Sequence, residues 1–443
     1  MIGIAGITET GKNDLVNEML QTIAHRGDYG KKIIEKNHTT VGFIWPKSQS
    51  QQVETYIDQL LRSDTYLNKE IEGVGFKDKE IVLFRDELGV FPLYYGLDEK
   101  KNLCFASEVK ALLKATPEIK ELQPGHRLIG NKPQEYFRLK SEMLDERSPE
   151  EIAIELKSKI ENVVKRQIGS NTVGSWLSGG LDSSVIASMV RKNVKNHHTF
   201  SIGVKDSPDI LYAEEVANFL KTEHRQLFVT IKDLIEVLPR VIYHLESFDA
   251  LLVRSSVMNY LVAQLSSSFV SEVFSGEVGD EIFAGYHYLK TIPEEELSGE
   301  LIDITNRLHN TALQRVDRCA AAFGLTVHVP FAEPDIFKFA LKIPARYKIY
   351  NGTEKWILRK AFEGELPQNV LIRPKEKFWQ GAGVGQLLAD YASNTITDQD
   401  FNSKKLLPNG WILNSKEELM YYNIFRDHFG SVKSLDWMGR TKK

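Results

Sequence analysis

The chain has 443 residues, of which 42% are hydrophobic and 26% charged, with a formal net charge of -4. That length exceeds one comfortable core, so two domains of a soluble, enzyme-like, cytoplasmic protein are expected. The mild acidity gives no electrostatic case for nucleic acid or an anionic membrane as partner, no apolar run reaches transmembrane length, and Cys104 and Cys319 suggest neither a disulfide framework nor a thiolate metal site.

In chain order, the sequence first offers short apolar runs at 2–7, 41–45, 80–84 and 103–106, bounded by turn signals at 98–102 and 123–125. This punctuation predicts antiparallel strands up to about Arg138. The polar stretch 139–151 reads as a linker and helix start, and 152–167 carries apolar residues at helical spacing. From Thr172 strands and helices alternate: strands at 198–204, 225–229 and 272–274, helices at 212–220 and 234–244. Alternation of this kind implies a parallel sheet with a nucleotide at the carboxyl ends of its strands. Beyond Leu301 the sequence is mostly helical. His197, His198 and His224 lack metal-site spacing and read as structural.

Between the apolar run ending at Leu177 and the helical run 185–190 lies Ser178-Gly179-Gly180-Leu181-Asp182-Ser183-Ser184. Strand, Gly-rich turn and helix together grip phosphate: glycines admit the backbone N–H groups, hydroxyls add donors, and the helix start adds partial positive charge. The lysine of the common P-loop is missing, so Asp182 is placed to recruit a metal ion bridging phosphate oxygens. The plain alternative is a Gly-Ser turn capping a helix; six matching positions in this context oppose it. The stretch resembles the pyrophosphate loop of ATP pyrophosphatases. A second Gly-rich turn, Ser275-Gly276-Glu277-Val278-Gly279-Asp280-Glu281, carries three carboxylates. Facing the first, it would let Asp182 and Asp280 hold Mg²⁺ between them.

Both loops together resemble the glutamine-dependent asparagine synthetase family, and the resemblance runs over essentially the whole chain. It includes Ile4-Ala5-Gly6, His25-Arg26-Gly27, Phe84-Arg85-Asp86-Glu87-Leu88-Gly89, Ala106-Ser107-Glu108, Tyr243-His244-Leu245-Glu246, Arg315-Val316-Asp317-Arg318, Val329-Pro330-Phe331 and Arg373-Pro374-Lys375-Glu376-Lys377-Phe378. It implies an α+β, glutaminase-like β-sandwich of the Ntn type over 1–140. An α/β ATP-pyrophosphatase synthetase domain, Rossmann-like with a helical C-terminal part, would follow over 150–443. It also implies a carboxylate attacking the α-phosphorus of ATP, followed by displacement of AMP by nitrogen. By the same resemblance Ser178, Gly179, Gly180, Asp182, Ser183 and Ser184 would hold pyrophosphate and metal. Ile202, Gly203, Ser275 and Gly276 would contact the nucleotide, and Asp182 and Asp280 would bind magnesium. Glu277 would act near the reacting nitrogen, Lys375 would stabilise charge, and Arg254 and Arg315 would take a substrate carboxylate unless they pair with Glu246 or Asp317.

The chain also departs from that family. Ile2 stands where the family has its nucleophilic cysteine, and an aliphatic side chain cannot attack an amide. No Asn-Gly segment lies between His25 and Phe84. The first domain is therefore expected to be a glutaminase relic, with nitrogen coming from ammonia, an amine substrate or a separate ammonia-supplying subunit. Val278 replaces a glycine. Ala312 replaces an aspartate thought to hold an α-ammonium, which weakens the case for free aspartate, though amide formation on aspartate stays the leading expected reaction. The expected activity is an AMP-forming carboxylate–amine ligase using ATP and Mg²⁺, functioning alone or as a homodimer. Lactam closure in a specialised pathway and a non-catalytic nucleotide-binding relative are the alternatives.

Overall fold

The computed structural model describes residues 2–62, 73–376 and 378–441, so Lys377 of the matched basic run lies outside the described residues. Among the described residues ten strands come first: β1 (Gly3–Ile7), β2 (Gly30–Lys36), β3 (Thr39–Trp45), β4 (Gly73–Lys77), β5 (Glu80–Phe84), β6 (Tyr94–Leu97), β7 (Leu103–Ala106), β8 (Lys120–Glu121), β9 (His126–Ile129) and β10 (Lys132–Glu135). They form two sheets, ordered β2-β3-β1-β7-β6-β8 and β10-β9-β5-β4. Every pairing is antiparallel, as the turn-bounded runs predict. Ile4, Val41 and Phe43 of the first sheet share a core with Val74, Phe76, Leu83 and Leu128 of the second. Helix Ser50–Arg62 joins that core through Val53, Tyr56, Ile57 and Leu60, a spacing that puts all four on one face.

Helix Pro149–Gln167 opens the second half. Ser148 caps it, exchanging bonds with Glu151 in a capping box, and the buried Ile152, Leu156, Ile160, Val163 and Val164 follow at helical spacing. The sheet behind it comprises β11 (Thr172–Trp176), β12 (Asn196–Gly203), β13 (Glu223–Phe228), β14 (Glu272–Phe274) and β15 (Thr326–His328). All its pairings are parallel, in the order β13-β12-β11-β14-β15. The chain runs outward from β11 through β12 to β13, then crosses back to β14 on the other side of β11. That reversal creates a switch point, where a crevice opens at the strands' carboxyl ends. The register Ser175↔Phe274 sets the loops after β11 and β14 side by side.

A buried ion network joins the two halves. Arg26 pairs with Glu108 and Asp317, Arg318 reaches Glu246 at 2.8 Å and Glu108 at 3.1 Å, and Lys110 reaches Glu246 at 3.0 Å. Each side chain is at most 3% exposed, so the charges depend on one another for compensation.

Candidate active site

The two Gly-rich turns touch. A Cβ added at Gly276 would lie 2.6 Å from the Ser183 nitrogen, and one at Gly279 would lie 2.6 Å from the Asp182 carboxyl carbon. Only glycine permits that approach. In the first turn Gly179 has φ +70°, which glycine adopts without strain, and a Cβ there would meet the Ala213 nitrogen at 2.5 Å. The turn is braced internally: the Gly180 N–H donates to Ser178 Oγ at 3.3 Å, while Ser183 Oγ (3.1 Å) and Ser184 Oγ (2.7 Å) donate to the Gly180 carbonyl. Helix Leu181–Asn193 then starts without a side-chain cap, and its first residues Leu181, Asp182 and Ser183 line the crevice.

Asp182 and Asp280 are brought together, and a residue that sequence reasoning missed lies between them. The Lys355 ammonium pairs with Asp182 Oδ2 and, at 2.5 Å, with Asp280 Oδ1. Lys375 reaches Asp280 Oδ2 at 2.6 Å. Burial pushes both carboxyls upward. At Asp182 burial prevails, helped by the charge of Asp280; at Asp280 the two lysines outweigh it and hold the carboxyl at about 2. The Lys375 ammonium is raised despite burial, because Asp280 and Asp182 face it. Glu277 accepts a 2.6 Å bond from Arg315 Nη2, so Arg315 holds a carboxylate of its own protein.

The cleft is lined by Ser178, Gly180, Asp182, Ser183, Ile202, Ser275, Gly276, Glu277, Asp280 and Lys375, all expected from sequence. Trp176, Phe200 and Val262 form an apolar wall the sequence did not indicate, and beside them Asn259 Oδ1 is buried without a partner. Four further residues expected from sequence have their side chains or Cβ positions engaged elsewhere in the protein. Ser184 is fully buried, its hydroxyl spent on the Gly180 carbonyl, and Gly179 turns toward Tyr212 and Ala213. Gly203 packs on Ser207 and Ala382, its carbonyl accepting from the Val229 N–H. Arg254 is held by Glu417, with Nε donating at 2.8 Å, and lies over the Trp379 ring. Neither arginine pairs with Glu246 or Asp317.

A parallel sheet with two touching acidic turns at its switch point defines a nucleotide-binding α/β protein. Residues 155–297 and 292–441 match the asparagine synthase family, and residues 74–143 match the glutamine amidotransferase domain. A probable glutamine-hydrolysing asparagine synthetase of Dictyostelium discoideum is 33% identical over 403 residues, covering 82% of this chain and 72% of that protein. Asparagine synthetase B of Escherichia coli is 32% identical over 407 residues, covering 81% and 72%. The chain belongs to the asparagine synthase family, and it is an asparagine synthetase-like ligase.

Proposed function

We propose that the protein is an ATP-dependent, AMP-forming carboxylate–amine ligase. A carboxylate oxygen attacks the α-phosphorus of ATP, releasing pyrophosphate and leaving an acyl-adenylate; ammonia or an amine then adds to the acyl carbon, and AMP departs. The observation that carries this reading is the pair Asp182 and Asp280 on touching turns, flanked by Lys355 and Lys375. The residues suit Mg²⁺: two carboxylates of facing loops converge on the one Lys355 ammonium, and Asp182 Oδ1 is buried without a partner. When bound, the ion would neutralise phosphate charge. The turn 178–183 and the helix start behind it receive pyrophosphate, and the base lies against Trp176, Phe200 and Val262. Lys375 faces charge developing on phosphate or on the tetrahedral acyl carbon. Glu277 takes the proton the attacking nitrogen must lose, and Arg315 keeps that carboxylate oriented.

Residues 1–140 are in this reading a glutaminase-like unit of the Ntn type that no longer hydrolyses glutamine, and 150–443 form the synthetase unit. Ile2 offers no thiol, so nitrogen comes from free ammonia, an amine or a separate subunit. The enzyme works in the cytoplasm, alone or as a homodimer. Ala312 lies one helical turn before Arg315 and offers no charge to an α-ammonium, which favours acids without that group and keeps lactam closure as the second reading. The test is pyrophosphate release with candidate acids plus ammonium or glutamine. Ammonium should support turnover with at least one acid and glutamine should not; equal rates with glutamine alone would contradict the reading.

A further inference from the structure

Asn259 stands out at the apolar wall of the ATP cleft. It sits inside helix Ala250–Ser267, one turn before Val262, and both side chains line the cleft. The polar atoms around it are spent. The Trp176 indole N–H donates to Ser266 Oγ at 3.1 Å, and that hydroxyl donates to the Val262 carbonyl at 2.6 Å. Ser201 Oγ lies 3.2 Å from His224 Nε2. Ser255 and Ser256, on the same helix as Asn259, donate to carbonyls one turn back at 3.2 Å and 2.7 Å. Asn259 differs: the residue is 4% exposed, and among the described residues nothing donates to its buried Oδ1.

An amide oxygen cut off from water without a donor is costly to keep, and asparagine is a poor residue for a helix interior. Leucine, of similar size, would complete this wall without that cost. The arrangement therefore calls for a donor carried in by whatever fills the cleft. Between the two common purine bases, adenine has one where guanine does not: its exocyclic amino group stands on the ring carbon at which guanine has a carbonyl. Beside that amino group adenine presents ring-nitrogen acceptors, so an amide can meet the edge with Oδ1 accepting and Nδ2 donating. A guanine carbonyl in the same place would set oxygen against oxygen.

We propose that Asn259 selects the nucleotide base: its side-chain carbonyl accepts from the exocyclic amino group of adenine, which makes the cleft specific for ATP over GTP. This role rests on the base lying against Trp176, Phe200 and Val262, the seating proposed for ATP. Asn259 discriminates among bases and takes no part in the steps at phosphorus.

Calorimetric titration of the full chain with Mg²⁺ and, in turn, ATP, GTP and purine riboside triphosphate tests this; the last is ATP with hydrogen in place of the amino group. No acid, ammonium or amine is added, so nothing turns over. The wild type should bind ATP at least about fivefold more tightly than either analogue, as expected when one buried hydrogen bond is left unmade. Asn259→Leu should bind ATP and purine riboside triphosphate within about twofold of each other, because the amino group has lost its partner. A merely structural role would weaken both nucleotides alike and keep their ratio as in the wild type. That unchanged ratio would overturn the assignment while leaving the adenylate reading intact. So would a wild type that binds GTP or purine riboside triphosphate as tightly as ATP, a result that needs no variant. Failure of all three nucleotides to bind saturably would overturn both.

Discussion

Lys355 shows how much of the site hangs on one side chain. Its ammonium is 2% exposed and separates two buried carboxylates that would otherwise repel each other. Removing one partner from a buried ion cluster costs about 3–5 kcal/mol, so Lys355→Met should lower the melting temperature sharply. Added Mg²⁺ should restore more stability to that variant than to the wild type, because the ion replaces the missing positive charge; an equal magnesium response in both would contradict the site. Lys355 was not legible in the sequence because it lies in no glycine motif and reaches the loops only through the folded chain. The partner of Arg254 was not legible for a related reason. An isolated arginine fits a substrate role until its partner is known, and Glu417 sits on a distant helix that sequence spacing cannot place beside it.

At the scale of elements, the touching turns rest on two glycines. Gly276→Ala and Gly279→Ala each put a methyl group 2.6 Å from atoms of the opposite loop, and the backbone or the Asp182 carboxyl must yield. Overpacking of this kind costs about 1–3 kcal/mol. Pyrophosphate release should fall further than stability does, about 100-fold, because sites of this kind lower the barrier mainly by holding charged groups in position. Steady-state kinetics alongside urea unfolding separates the two effects. These turns were legible because glycine spacing and strand-to-helix context are local. Strands β1, β3, β5 and β7 were legible as apolar runs, and so was the parallel alternation from β11 onward. Strand β2 was not, because Lys31, Lys32, Glu35 and Lys36 give it a polar, partly exposed edge with no run to see. Strand β10 is wholly exposed and was missed for the same reason.

Across the whole molecule, buried charge ties the two halves together. His309 of the synthetase half reaches Glu121 of the N-terminal half at 2.8 Å, and Arg85 reaches the same carboxylate at 2.7 Å. Burial alone would raise the Glu121 carboxyl, but His309 and Arg85 hold it at about 2, against an ordinary value of 4.5. A depressed carboxyl contributes stability above its unfolded value and loses it as pH falls toward the folded value. The contribution, about 3 kcal/mol at full ionisation, should therefore fade between pH 4.5 and 2. Urea unfolding over that interval should show a flatter pH dependence for Glu121→Gln than for the wild type. Arg318→Met should destabilise by about 3–5 kcal/mol, since it strands Glu246 and Glu108 in the seam. No local pattern announces such a network, because its members come from four separate stretches of chain.

Carbon–nitrogen bond formation through an adenylate rests on one transfer that isotopes can follow. A substrate acid labelled with ¹⁸O in its carboxylate, turned over with ATP, Mg²⁺ and ammonium, should deliver one labelled oxygen to AMP. Label found instead in inorganic phosphate, with ADP as the nucleotide product, would contradict attack at the α-phosphorus.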